Sequence, residues 1–122
     1  MQQINSLYGF LMYIAQTNLT TKMEKLFLIK PDFKDPNRNG DSNYFCTNCV
    51  TLEGLLSFYP RLRNELEVSY VDFARPRPAI VDLIGEANQS CPVLVLDDGK
   101  FINKAEDIMN HLAEHHQIGQ AH

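Results

Sequence analysis

The chain predicts an α/β fold, a four-stranded mixed sheet flanked by helices, and three observations point there. Short apolar runs of strand length alternate with segments whose apolar residues recur every three or four positions. Gly, Pro, Asn and Asp punctuate most changes from one to the other. Hydrophobic residues make up 44% and charged residues 21% of the 122, a balance that suits one compact core.

Taken in order, "KLFLIK" at residues 25–30 is an apolar run ended by Pro31, and reads as a buried strand. "PDFKDPNRNGDSNY" follows, a loop long enough to suggest a function; it is either a lid over the next segment or plain surface. In "NYFCTNCVTLEGLL" two cysteines stand three apart at the head of a helix whose inner face is Leu52, Leu55, Leu56 and Tyr59, closed by Pro60. "LEVSYVDF" at 66–73 is a second strand. After the turn "ARPRP", Ile80, Val81, Leu83 and Ile84 form a short helix stopped by Gly85. "CPVLVLDDGKFIN" is a hairpin turning at Asp98-Gly99. "KAEDIMNHLAEHH" closes the domain as an amphipathic helix with Ala105, Ile108, Met109 and Leu112 inward.

Residues 1–22 are treated as an extension and 23–122 as the domain. In "INSLYGFLMYIAQ" no Lys or Arg precedes the apolar residues and no clear small-residue cleavage site follows them. The segment is also shorter than the roughly 20 residues a membrane-spanning helix needs. Its residues Ile4, Leu7, Tyr8, Leu11, Met12 and Ala15 suit an amphipathic helix docked on the domain or on a second copy, which would make a homodimer.

Lys and Arg total 11 against 15 Asp and Glu, a net charge of −4 with the basic residues scattered, so nucleic acid is not an expected partner. Three cysteines, two of them close neighbours, do not make a secreted disulfide framework, and a reducing cytoplasm is the expected location.

The cysteine pair carries the chemistry. A helix N-terminus gathers unpaired N–H groups and about half a positive charge, so a sulfur there is favoured as thiolate, the nucleophile of disulfide exchange. Cys46 is the expected nucleophile. Cys49, one turn deeper and facing the core, is the expected resolving thiol. Two other readings stand beside this one: an inert buried pair, and a zinc or iron-sulfur site that recruits Cys91. His111 and His115 share a helix face, yet histidines also suit a helix C-terminus.

With Cys-x-x-Cys at the first helix and a Pro opening the later strand, residues 25–117 resemble the thioredoxin fold. "SCPVLVLDDGKFINKAEDIMNHLAE" is similar to the second half of glutaredoxins and of glutathione transferase N-terminal domains. The resemblance implies that Pro92 is a cis-proline facing the cysteines and that the backbone of Cys91 is presented to an extended thiol peptide. "FCTNC", "LEGLLSFYP", "FARPRP" and "DLIGEANQSCPVLVL" resemble, more closely, a bacterial family of small thioredoxin-like proteins of unknown function. Thioredoxin has a Trp before its first cysteine and Gly-Pro between the two, where this chain has Phe45 and Thr47-Asn48. Lys104 and Ala105 stand where the transferases hold the glutamyl end of glutathione with a Glu or Gln followed by Ser.

Around the dithiol, Phe45 and Tyr44 are candidates to cover it, and Thr47, Cys91 and Pro92 to contact a substrate. Arg75 and Arg77, between prolines, are candidates to grip a carboxylate at the rim, or simply to solvate a turn. Glu53 is a candidate proton acceptor for Cys49, or an ordinary exposed carboxylate. The expected activity is thiol-disulfide exchange on a protein or small-thiol substrate. Glutathione is a possible co-substrate and the reductant is external, since no dinucleotide or flavin fingerprint is present. The competing expectation is a non-catalytic interaction module that keeps the fold.

Overall fold

A computed structural model describes residues 23–122; the amphipathic segment expected within 1–22, and the dimer it would support, lie outside the described residues. The elements in chain order are β1 (Glu24–Ile29), α1 (Thr47–Phe58), α2 (Leu62–Glu65), β2 (Leu66–Val71), α3 (Pro78–Ile84), β3 (Val93–Val95), β4 (Phe101–Ile102) and α4 (Ala105–His116). The strands form one mixed sheet in the order β2-β1-β3-β4. β1 runs parallel to β2 and antiparallel to β3, and β4 returns antiparallel on β3. A parallel pair cannot be joined by a tight turn, and the chain makes this crossover through α1 and α2.

β1 is buried on both faces, which is why its sequence is an uninterrupted apolar run rather than an alternation. Leu26, Leu28 and Leu94 point to one side, where Leu52 and Leu56 of α1 and Ile108 and Leu112 of α4 cover them. Phe27, Val93 and Val95 point to the other, under Ile80 of α3. The inward faces expected for the first and last helices are therefore the ones observed, with Leu55, Tyr59, Ala105 and Met109 at the margins of the core. The hairpin turns as expected, with Gly99 at φ 90° and the Leu96 and Gly99 N–H groups donating to the Lys100 and Leu96 carbonyls. Only glycine adopts that φ without strain.

α2 is an addition to the expected pattern. Pro60 closes α1, but one further turn forms because Leu62 is fully buried and an Arg61–Glu65 pair braces the turn at 2.8 Å. The long loop after β1 is pinned at its base. Phe33 and Tyr44 exchange backbone hydrogen bonds of 3.1 and 2.8 Å, and the Phe33 ring stacks on Phe73 at 4.2 Å. Its exposed middle turns on the Asp35 and Asn39 side chains, each accepting a backbone N–H two residues on. Among the described residues no helix is long and apolar enough to cross a membrane.

Candidate functional site

Cys46 is the N-cap of α1, with extended backbone and a side chain that accepts the Cys49 N–H at 3.1 Å. The first turn of a helix has N–H groups without intrahelical partners, and here a sulfur supplies the acceptor that Ser or Asp usually provides. Cys46 is half-buried, while Cys49 is 3% exposed and belongs to the core. Its Sγ accepts the Ile29 N–H at 3.4 Å, at the C-terminal end of β1. Burial, then the contact with the Cys46 thiol, pushes the Cys49 thiol strongly upward, so it is held as the neutral S–H.

The third sulfur arrives from the start of β3. The Cys91–Pro92 peptide bond is cis, as is Arg75–Pro76. The Cys91 carbonyl oxygen lies 4.0 Å from Cys46 Sγ, and Cys91 packs against the core on both sides of the sheet. Burial pushes the Cys91 thiol up to about 11, against the opposing pull of Arg77. Cys46, Cys49, Cys91 and Pro92 are thus brought together at one end of β1.

Beside the dithiol opens a largely apolar cavity of about 330 Å³, walled by Leu28, Ile29, Pro31, Phe45 and Val50. Phe45 is 56% exposed and forms a wall of this cavity. Thr47, the first residue of α1, is exposed next to it. Tyr44 turns the other way, against Phe33 and under the Arg38 guanidinium. Glu53 also lines the cavity but makes no hydrogen bond to Cys49; it accepts from Arg63 at 2.5 Å and from the Tyr70 hydroxyl at 2.7 Å.

The two arginines part company. Arg75 is exposed. Arg77 is 5% exposed, and its guanidinium donates to the Asp72, Phe73 and Gln89 carbonyls, so it holds the chain internally. The Pro-Arg-Pro spacing carried no sign of that difference, because it arises from the fold of the segments on either side.

A second polar group sits at the opposite, N-terminal end of β1. Glu24 meets His111 Nε2 through one carboxylate oxygen and His116 Nε2 through the other, both at 2.9 Å. His116 Nδ1 lies 2.9 Å from Glu65, which Arg61 holds in turn. Burial disfavours charge here, but the hydrogen bonds to His116 and His111 outweigh it and lower the Glu24 pKa. Burial likewise opposes the His116 cation, and the bonds to Glu24 and Glu65 outweigh it and raise its pKa. Sequence reading missed this group: His111 and His116 stand 87 and 92 residues from Glu24, so no local spacing announces it.

Fold and site together define the class: a single-sheet α/β domain with a Cys-x-x-Cys pair at the start of its first helix. The chain belongs to the family described as Protein of unknown function (DUF3088), whose model matches residues 23–121. No curated protein and no solved structure matches it.

Proposed function

We propose that this chain is a thiol-disulfide oxidoreductase of thioredoxin-like architecture, acting in a reducing compartment such as the cytoplasm. One observation carries the reading: Cys46 Sγ caps α1 on the Cys49 N–H and lies beside the Cys91 carbonyl that precedes cis-Pro92. The order of the sheet strands is compatible with that architecture.

In the cycle, the Cys46 thiolate attacks one sulfur of a substrate disulfide, forming a mixed disulfide and expelling the other substrate sulfur as thiolate. That leaving thiolate takes up a proton. Cys49 then loses its own proton to the second leaving sulfur as it attacks Cys46 Sγ, so the substrate leaves as two thiols and the chain keeps a Cys46–Cys49 disulfide. Two electrons have passed to the substrate, and an external dithiol or glutathione restores the pair. The high, buried Cys49 thiol suits this order, since it stays out of the first attack and is needed only after Cys46 is occupied. The backbone of Cys91 and the exposed Phe45 and Thr47 bound the approach, Arg75 stands further along the rim, and the apolar cavity receives a hydrophobic substrate residue next to the disulfide.

The decisive experiment follows turnover of a model disulfide, insulin with dithiothreitol as reductant, in wild type, Cys46→Ser and Cys49→Ser. Wild type should turn over, Cys46→Ser should fall to the background of dithiothreitol alone, and pre-reduced Cys49→Ser mixed with insulin after the dithiothreitol is removed should accumulate a mixed disulfide visible by mass spectrometry. Wild-type turnover in Cys46→Ser, or an oxidised protein with no Cys46–Cys49 linkage, would sink the reading.

A further inference from the structure

The group at the other end of β1 has a chemistry of its own. Two imidazoles and one carboxylate converge so that their ligand atoms all lie within 4.8 Å of one another. Each Nε2 faces a different oxygen of the same Glu24 carboxylate, so the two rings flank it from either side. The three side chains are 13%, 14% and 19% exposed, far drier than the ion pairs elsewhere on the surface, such as Lys30–Asp72 at 56% and 78%. The arrangement is also backed from behind. His116 turns its Nδ1 to Glu65, fixing the ring, and Arg61 anchors Glu65 through one nitrogen while its other nitrogen donates to the Gln117 carbonyl. A metal-ligating histidine typically gives its second ring nitrogen to a carboxylate in this way.

We propose that Glu24, His111 and His116 form a binding site for a divalent transition metal ion, with Zn²⁺ the best match. Two imidazole nitrogens and a carboxylate are the donor set of borderline ions, and three protein ligands leave one position for water. Ligands on such an ion stand roughly 3.3 Å apart at bond lengths of about 2.0–2.1 Å. The 2.9 Å contacts therefore need to open by only a few tenths of an ångström. On binding, the ion replaces the protons now shared between Glu24 and the two Nε2 atoms, while His116 keeps its Nδ1–H to Glu65. The ion would tie the C-terminal half of α4 to the first residue of the central strand, at the other end of β1 from the sulfurs, and so acts on the fold independently of the dithiol chemistry.

Because thiols also bind zinc, the test must report the histidines themselves. In the full reduced chain at pH 7.5, ¹⁵N-resolved spectra of the imidazoles during Zn²⁺ titration should show His111 and His116 Nε2 losing their protons to the metal at one equivalent, with His116 Nδ1 still protonated. Co²⁺ should give visible ligand-field bands without a thiolate charge-transfer band, and His111→Gln should weaken this binding at least tenfold. Spectra in which both Nε2 atoms stay protonated at saturating Zn²⁺ would overturn the proposal and leave a histidine–carboxylate clamp only. Unchanged Co²⁺ affinity in His111→Gln would do the same. If that variant does not fold, the wild-type imidazole spectra decide alone.

Discussion

Cys91 shows how much the surroundings of one side chain decide. Its sulfur is half-buried beside Cys46, and burial raises its thiol from 9.0 to about 11. Below pH 9 the thiol is neutral whether the chain is folded or not. Between about 9 and 11 the unfolded chain releases the proton and the folded one keeps it, so stability falls as pH rises through that window. Cys49, raised in the same sense, adds to the fall. Urea midpoints measured at pH 8 and pH 10 should therefore drop for wild type and drop less for Cys91→Ala. An equal drop in the two proteins would mean that Cys91 is as easily ionised in the folded chain as out of it.

At the scale of the element, α1 begins on a sulfur, and the sequence shows why it can. Cys46 supplies an acceptor to the Cys49 N–H, Leu52 and Leu56 bind the helix to the sheet, and Tyr59 closes it with its N–H on the Leu55 carbonyl. A serine at position 46 keeps an acceptor for the same N–H, whereas alanine leaves it bare. Cys46→Ala should accordingly be less stable than Cys46→Ser by about 1 kcal/mol in equilibrium denaturation. Identical stabilities would show that the cap contributes nothing beyond placing the sulfur. The position of this helix start was legible because capping and periodicity act within a few residues. α2 was not legible, since its four residues form under the demand that Leu62 be buried, and its pattern is too short to show a period.

Across the whole molecule, Arg77 joins regions that the chain order keeps apart. Its guanidinium reaches the Asp72 and Phe73 carbonyls at the end of β2 and the Gln89 carbonyl before β3, and its N–H donates to the Gln89 side chain at 2.6 Å. Arg77→Met keeps the length of the stem but leaves buried carbonyls without donors, and should cost roughly 3 kcal/mol or more, read as a lower midpoint with an unchanged denaturant slope. Arg75→Met, on an exposed side chain, should stay within about 0.5 kcal/mol of wild type. Equal effects of the two would place Arg77 at the surface in solution. The two residues look alike in "ARPRP", and their divergence marks the boundary between the two sources of information. The sequence by itself determined the α/β alternation, the inward faces of α1 and α4, the Asp98-Gly99 turn and the place of Cys46 at a helix start, since each depends on residues within one or two turns of one another. Tertiary structure alone decided that Glu53 serves Arg63 and Tyr70, that Arg77 turns inward, and that Glu24 meets two histidines from the far end of the chain. Those outcomes follow from strand register and helix docking, which bring together side chains that no local pattern connects.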